Sequence, residues 1–348
     1  MPWIPVIYLV FILITVLIVF YAERKIASFI QDRLGPTHVG KWGILQPVAD
    51  LIKLFQKEDI VPSAADPFLF KIAPYLILAS VFTGFAVVPL CNGLKGASIS
   101  TGVFFMMAIV SLDIIGLLIA GWASNNKYAL FGSMRSVAQI ISYEIPLGFS
   151  VLSVIMITET LDLSEISVFQ SNSSNTFVSG GFLSWNVIKA PHLFIAWIIF
   201  FISSLAECNR APFDIPEAES ELVAGFHVEY SGFRFAIFFL AEYALMILVS
   251  IVGAIIFFGG WNSPLPNIGN ISLFDWTNGI PGTFSGYLLS GFWLVLKAMI
   301  FLLIQIWIRW TFPRVRIDQL MYIGWKVLTP ASLLLIFISA VWKLWVMG

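Results

Sequence analysis

The residues best suited to chemistry are carboxylates gathered in one short stretch of the chain. Residues 206–232 read AECNRAPFDIPEAESELVAGFHVEYSG and set six acids against a single arginine, Arg210. Carboxylates this close suppress one another's ionisation, so we expect them to bind and release protons as a coupled set. The alternative is a solvated acidic loop whose members titrate independently. The six acids are Glu207, Asp214, Glu217, Glu219, Glu221 and Glu229.

Three further acids, Asp113, Glu144 and Glu242, fall inside long apolar runs. Each would cost roughly 2.5–3.5 kcal/mol near the centre of a span if it faced lipid. At a rise of about 1.5 Å per residue, Glu144 and Glu242 lie about 10 Å from the inner ends of their runs. Asp113 lies near the midplane, and Glu207 stands at the inner mouth. This depth series predicts a hydrated half-channel or proton relay open to the inner side, although each acid taken singly could be a neutral structural group.

Lys297 also falls near the midplane of its run, so an ion pair with Asp113 is a hypothesis. Pro146, two residues after Glu144, removes a backbone donor, and the carbonyl that it frees could admit water. The three scattered histidines predict no metal site, and the chain has no phosphate-binding glycine motif. The predicted proton path therefore includes Asp113 and Lys297, and no residue is assigned to covalent catalysis.

Acids inside a membrane have to be held by apolar helices, and the composition of the chain predicts such helices. The 348 residues are 59% hydrophobic and 11% charged, which is typical of a chain embedded in lipid. Seven apolar runs are clear, and an eighth, 187–206, is interrupted early by Lys189, Pro191 and His192. We therefore predict an all-α integral membrane protein, one domain over 1–348, with about eight transmembrane helices. The seven clear runs are 4–22, 72–91, 102–123, 137–158, 235–260, 287–311 and 327–347.

The distribution of basic residues supports eight spans. With that count, the connections 23–71, 124–136, 207–234 and 309–326 share one side and hold 15 of the 19 lysines and arginines. The positive-inside rule assigns this side to the cytoplasm, so both termini are expected on the periplasmic side of a bacterial inner membrane. The first apolar run has no basic segment before it, and we expect a retained span rather than a signal peptide.

The first inner connection contains GKWGILQPVADLIKLFQKE, in which apolar residues recur at helical spacing. This pattern predicts an amphipathic helix over 44–57, with Pro47 tolerated in its first turn, lying along the membrane interface. Such a helix could simply seal the inner edge of the bundle. It could also form one wall of an opening through which an amphipathic molecule enters from the lipid.

Four inner connections together resemble the H-type membrane component of bacterial NADH:quinone oxidoreductase, respiratory complex I, whose mitochondrial counterpart is NADH dehydrogenase subunit 1. The matching strings are ERKIASFIQDRLGP (23–36), GWASNNKYALFGSMRSVAQIISYEIP (121–146), the acidic stretch quoted above, and PRVRIDQLM (313–321). The resemblance runs from the first span to the last. Long strings in four separate connections are far more specific than any short motif.

The resemblance implies a subunit of a proton-translocating enzyme that is not catalytic alone. It would sit between the hydrophilic and membrane arms and form much of the quinone chamber and its lipid-side entrance. Quinone would be the substrate, and flavin and iron–sulfur clusters would belong to partner subunits. The family's chamber residues correspond to Arg24, Arg33, Asp50 and Arg210. Its acidic funnel corresponds to Glu144, Glu207, Glu217, Glu219, Glu221, Glu229 and Glu242, while Asp113 depends on the depth argument alone.

Other functions are open at this point. A stand-alone proton-coupled transporter also uses acids at the midplane, but it would be expected to show inverted repeats and paired broken helices. The equivalent component of a membrane-bound hydrogenase need not use quinone, and a passive scaffold would only dock the soluble arm. Within the favoured function, protons could pass directly along the acids, or charge on the quinone could shift their ionisation electrostatically.

Overall fold

A computed structural model of the chain describes residues 3–171, 178–215, 222–268, 273–279 and 282–347. Helices dominate it, and the predicted all-α membrane fold is confirmed. Within these ranges, seven helices are long and apolar enough to cross a membrane, and an eighth apolar helix has only 16 residues. In chain order, spans 1–8 are Ile4–Ile30, Pro67–Phe85, Gly102–Ala123, Lys127–Thr158, His192–Glu207, Gly232–Phe257, Phe284–Thr311 and Ile317–Trp345.

Shorter elements connect the spans. The predicted amphipathic helix runs over Gln46–Gln56. It follows a 3₁₀ turn, Lys41–Gly43, in which Gly43 has φ +75° and a Cβ would lie 2.2 Å from the Pro36 carbonyl. On the other side of the membrane, strand Val178–Ser179 pairs antiparallel with Asn267–Ile268. The remaining short helices are Leu163–Ser171, Asn186–Lys189 and Leu273–Asn278, with 3₁₀ turns at Phe182–Ser184 and Gly225–His227.

Several spans begin before their apolar runs because polar side chains cap their first turns. The Asp66 carboxylate accepts hydrogen bonds from the backbone N–H groups of Phe68 and Leu69, so span 2 starts at Pro67 rather than at 72. Asn126 accepts in the same way from Tyr128, and span 4 starts ten residues before its predicted beginning at 137. These extensions carry the helices past the apolar core on the inner side.

Span 5 is shorter than its predicted run of 187–206. Ala190 has an extended backbone, the conformation favoured before a proline, and Pro191 separates a one-turn helix from span 5 proper. His192, the first residue of the span, contacts the hydroxyl of Ser339 in span 8 at 3.0 Å. The helix break therefore lies at Ala190 and Pro191, within the predicted interruption of the apolar run, and the span begins at His192.

Two spans contain departures from regular α-helix. Span 3 consists of helices Gly102–Val110 and Leu112–Ala123, which meet at Ser111. Span 8 has a π-helical segment, Ile323–Leu328, just before Pro330, whose ring nitrogen cannot donate to the preceding turn. The Thr329 hydroxyl donates instead to the Gly324 carbonyl at 2.8 Å.

Pro146 leaves span 4 continuous. The Ser142 carbonyl, four residues before this proline, faces Gly324 of span 8, where a Cβ would lie 3.5 Å from the carbonyl oxygen. The expectation that this carbonyl admits water stays a prediction.

Span 6 is the most buried of the seven long spans and is tied at both ends. At the inner end, Arg234 pairs with Asp59 at 3.0 Å and lies over the ring of Phe70. At the outer end, the amide groups of Gln170 and Asn186 each donate at 2.8 Å to carbonyls of its last turn, those of Ile255 and Ile256. These contacts fix both the rotation and the height of the helix.

Candidate functional site

A cavity of about 620 Å³ opens between span 1, the amphipathic helix and span 6, a volume typical of sites that bury a small organic ligand. Most of its wall is apolar. Span 1 contributes every third or fourth residue, as expected of one face of a helix. The apolar lining is Leu13, Val16, Leu17, Phe20, Ala27, Pro47, Leu51, Leu54, Phe235, Ala236, Phe239, Leu240 and Trp310.

The inner end of this cavity is charged. The Glu23 carboxylate is buried there and accepts a hydrogen bond from the Tyr243 hydroxyl at 2.6 Å. Arg309 donates to the same carboxylate, and Arg210 lies 3.7 Å from it. The Arg210 guanidinium also stacks over the Tyr243 ring at 4.3 Å. The inner end of the cavity therefore carries charged and hydrogen-bonding groups, which suits a ligand with polar oxygen atoms.

Of the four chamber residues assigned by resemblance, three line the cavity wall. Arg24 pairs with Asp50 at 2.6 Å, which links span 1 to the amphipathic helix, and its guanidinium stacks over Phe20. Arg33 lines the same wall. Arg210 lies behind the wall and contacts it through Glu23 and Tyr243.

Sequence reasoning did not identify Glu23, Tyr243 and Arg309 as site residues. They lie in three different spans, and no local pattern brings positions so distant in the chain together. For two of them, a neighbouring sequence feature could have indicated a role in the site. Glu23 opens the ERK string that follows the apolar run of span 1, and Tyr243 directly follows the membrane acid Glu242.

The predicted membrane acids meet around two small adjacent cavities. One is lined by Glu144 and Glu207 among apolar residues of spans 3, 4, 5 and 6. The other is lined by Asp113, Glu207 and Glu242. Glu207 borders both, so the structure brings all four acids into one contiguous region. Ser111, at the break in span 3, donates its hydroxyl hydrogen to Glu144.

Asp113 is buried inside the helix bundle as well as lying deep in the predicted membrane. Its side chain is 8% exposed, and Oδ1 has no hydrogen-bond partner in the described part of the chain. Nearby, the Gln139 amide donates to the Ala206 carbonyl at 2.7 Å and to Asn209 at 3.2 Å, which holds the inner end of span 5 beside the acids. A buried oxygen of this kind calls for a donor, such as an ordered water or a proton shared with a neighbouring acid.

The other acids of the 206–232 stretch have separate surroundings. Glu229 accepts a hydrogen bond from the Asn126 amide at 2.6 Å, and Asp214 pairs with Arg314 at 3.1 Å. Both therefore connect inner loops to each other. Glu217, Glu219 and Glu221 lie outside the described residues.

Lys297 does not join Asp113. Its ammonium donates to the carbonyls of Phe258 at 2.7 Å, Gly260 at 2.9 Å and Asn262 at 2.6 Å, where the chain leaves the outer end of span 6. It also lies 5.0 Å from the centre of the Trp185 ring. Three carbonyls satisfy all three donors, and the negative end of a helix dipole favours a cation there. The hypothesised ion pair with Asp113 is absent from the described structure.

Two titratable groups in the inner loops are held neutral by their surroundings. Burial lowers the pKa of His227 to about 4, and its ring packs against Phe226, Phe235 and Phe239. Burial, reinforced by the nearby Glu207, raises the pKa of the Cys208 thiol well above its ordinary value. Neither side chain is therefore charged near neutral pH.

A family model described as NADH dehydrogenase matches residues 4–340 of the sequence. The chain belongs to the NADH dehydrogenase family. It is 54% identical to the second H-type component of the NADH-quinone oxidoreductase of Cytophaga hutchinsonii, over 97% of each chain. It is also 52% identical to the H-type component of the NADH-quinone oxidoreductase of Chlorobium luteolum, over 94% of this chain and 84% of that one. The resemblance found in the four inner connections is confirmed.

The family match covers all of the spans. The match to the NADH dehydrogenase family begins at the first residue of span 1 and extends into span 8, so it includes every span and every cavity described above. The chain is thus a multi-pass membrane protein of this family along nearly its whole length.

Proposed function

We propose that this chain is the membrane subunit of a proton-translocating NADH:quinone oxidoreductase and forms much of its quinone chamber. The names of its relatives support the enzyme, and the apolar cavity with a charged inner end, open between spans 1 and 6, supports the quinone chamber. The chain would work with hydrophilic quinone-module subunits and small membrane subunits. As a single domain in the bacterial inner membrane, it would present both termini to the periplasm.

The cavity suits a quinone because its two ends differ. An isoprenoid tail would lie along the apolar wall of spans 1 and 6, continuous with the surrounding lipid, and the amphipathic helix would frame the entrance. The head group would approach the charged inner end, where its carbonyl oxygens could accept hydrogen bonds from Arg24 or Arg33. The observation that carries the proposal is this charged end inside a cavity that opens between membrane spans.

Reduction of a quinone consumes two electrons and two protons, and this chain would supply neither flavin nor an iron–sulfur cluster. Both cofactors would be bound by partner subunits. The role of this chain is to orient the quinone and to surround it with charge. As negative charge develops on the head group, the guanidinium groups that line the cavity, those of Arg24, Arg33 and Arg309, would stabilise it.

Span 6 links this chemistry to the membrane acids. Consecutive helical residues point about 100° apart. Accordingly, Tyr243 lines the quinone cavity, while Glu242 lines the acid cavity with Asp113 and Glu207. Charge on the quinone would therefore act across one helix on the acid series, which continues to Glu144. Transfer of protons along the acids and an electrostatic shift of their ionisation are both compatible with this arrangement.

Two single variants in the assembled complex test whether Tyr243 acts on quinone binding and Glu242 on proton pumping. Tyr243→Phe is expected to raise the KM for quinone and to leave the number of protons pumped per NADH unchanged. Glu242→Gln is expected to lower that number and to leave the KM for quinone near its wild-type value. If Glu242→Gln and Glu144→Gln both left pumping intact, the chain would be a scaffold rather than part of the proton path.

A photoreactive quinone provides an independent test of the chamber. Crosslinks in the assembled complex are expected on residues of spans 1 and 6 and of the amphipathic helix. Crosslinks confined to spans 3 and 8, which do not line the cavity, would contradict the proposal. Proton flux driven by a substrate in the isolated, reconstituted chain would instead support a transporter.

A further inference from the structure

The amphipathic helix has one apolar face that stays largely exposed in the described structure. Ile44, Leu45, Val48, Ile52 and Phe55 point to this side and are each 40–64% exposed. The adjoining side of the helix, with Pro47, Leu51 and Leu54, lines the cavity. The exposed face thus extends the wall of the cavity entrance outward.

The position of the helix indicates what covers this face. Its first end is fastened to span 1 by the Arg24–Asp50 pair and by the hydrogen bond from the Tyr21 hydroxyl to the Trp42 carbonyl. Its other end is fastened to span 6 by the stacking of Phe55 on Phe233 at 4.8 Å. A helix lying across the inner ends of two spans with an apolar face outward is typical of insertion at the lipid boundary.

Charged and aromatic side chains around this face favour one class of lipid. Lys41, Lys53 and Lys57 are exposed, and none has an ion-pair partner among the residues that the structure describes. Exposed Glu58 offsets one of these charges. Trp42, next to Lys41, is 69% exposed, as aromatic residues at the headgroup level commonly are. A basic cluster of this kind beside an inserted apolar face attracts anionic headgroups.

We propose that the amphipathic helix binds anionic phospholipid of the inner leaflet at the entrance of the cavity. The acyl chains would cover Ile44, Val48 and Ile52, and the phosphate groups would contact Lys41, Lys53 and Lys57. Lys53 also lines the cavity, so a headgroup bound there stands at the entrance itself. The binding of lipid does not depend on the proposed function, whereas an effect on quinone access rests on it.

The test uses the assembled complex in nanodiscs of phosphatidylcholine with one fifth phosphatidylglycerol. A photoreactive amino acid replaces Ile52, and mass spectrometry identifies what it captures. Each lysine near an anionic surface contributes about fivefold in affinity. We therefore expect capture of phosphatidylglycerol over phosphatidylcholine, corrected for abundance, to exceed fivefold. Neutralising the three lysines (Lys41→Gln, Lys53→Gln and Lys57→Gln) should bring the ratio close to one.

A matched control separates a local site from bulk charge. The control variant carries Lys71→Gln, Lys127→Gln and Lys326→Gln, which remove the same charge from exposed positions on the same side of the membrane. It should keep the wild-type ratio. An equal fall in both variants, a wild-type ratio near one, or capture of a protein subunit instead of lipid would overturn the proposal.

Quinone kinetics distinguish this proposal from the proposed function. If the lysine variant loses both lipid preference and quinone affinity, the lipid assists access to the cavity. Loss of lipid preference with an unchanged KM for quinone still supports the lipid site and removes only the link to access. Failure of the Tyr243→Phe and Glu242→Gln tests would leave the lipid result standing.

Discussion

Replacing Lys297 with methionine should destabilise the protein without altering its proton chemistry. The ammonium satisfies three carbonyls at the outer end of span 6, and methionine would leave all three without this donor. An unsatisfied buried carbonyl costs about 1–3 kcal/mol, and the removal of a buried charge returns several kcal/mol of desolvation. The three carbonyls together cost about 3–9 kcal/mol, and subtracting the returned desolvation energy leaves a net loss of about 3 kcal/mol of folding stability.

The measurement is the half-life of the detergent-solubilised complex at a fixed elevated temperature, because unfolding of large membrane assemblies is governed by rates. A loss of about 3 kcal/mol shortens the half-life by up to about 150-fold if it falls wholly on the unfolding barrier. Lys343→Met is the matched control. Lys343 donates to one carbonyl, that of Ile157, and pairs with the exposed Glu159, so its loss should cost about 1 kcal/mol or less.

A second measurement decides between the two roles considered for Lys297. Complex that survives purification should pump the wild-type number of protons per NADH, since the ammonium caps a helix and does not touch the acid cavities. Pumping lost with a half-life within twofold of wild type would refute the structural reasoning. Lys297 would then belong to the proton path, as its depth in the sequence first indicated.

Three further predictions concern the inner end of the cavity and the inner loops. Tyr243→Phe removes a hydrogen bond to the buried Glu23 carboxylate, which costs about 1.5–3 kcal/mol of folding stability, and the less firmly held carboxylate should raise the KM for quinone in steady-state assays. Glu23→Gln removes the carboxylate that accepts from Arg309 and lies beside the buried Arg210, costs about 1.5–3 kcal/mol for the lost charged hydrogen bonds, and should reduce the assembled complex on native gels. Because burial lowers the pKa of His227 to about 4, the folded chain binds fewer protons than the unfolded chain between pH 6.5 and 4. Stability should therefore fall by up to roughly 3 kcal/mol as the pH drops through this window, and His227→Gln should flatten the dependence.

Controls for these predictions come from exposed residues of the same type. Tyr128→Phe, Glu58→Gln and His38→Gln alter side chains that line none of the cavities described here. A rise in the KM for Tyr128→Phe equal to that for Tyr243→Phe would contradict the role of the buried hydroxyl. Normal assembly of the Glu23→Gln complex, or an unchanged pH profile for His227→Gln, would contradict the corresponding electrostatic argument.

Helical geometry explains why the acid series could be predicted from sequence. Glu144, Glu207 and Glu242 lie in regular helices, where a constant rise per residue converts chain position into depth. The same conversion from chain position to depth gave the wrong partner for Lys297. Span 6 ends at Phe257, and the chain then turns through Gly259 and Gly260 at positive φ, which places backbone carbonyls beside the ammonium. Depth along one helix does not reveal where a neighbouring helix ends.

Contacts between distant spans were the part that sequence could not predict. Glu23 meets Tyr243 and Arg309 only because spans 1, 6 and 7 pack side by side. Ser111 lies within a continuous apolar run, and its hydrogen bond to Glu144 depends on the packing of span 3 against span 4. Local patterns determine helices and depth, whereas pairing across the bundle depends on the packing of the whole chain.

The attachment of span 6 at both ends also limits how its sequence can evolve. One inserted or deleted residue between Arg234 and Phe257 would turn everything beyond it by about 100° and shift it by about 1.5 Å. The Arg234–Asp59 pair holds the inner end, and the hydrogen bonds from Gln170 and Asn186 hold the outer end. The helix could therefore accommodate the added rotation only by forming a π-bulge. Glu242 and Tyr243 could no longer both face their own cavities. We therefore expect descendants of this gene to vary the side chains of span 6 while keeping its residue count.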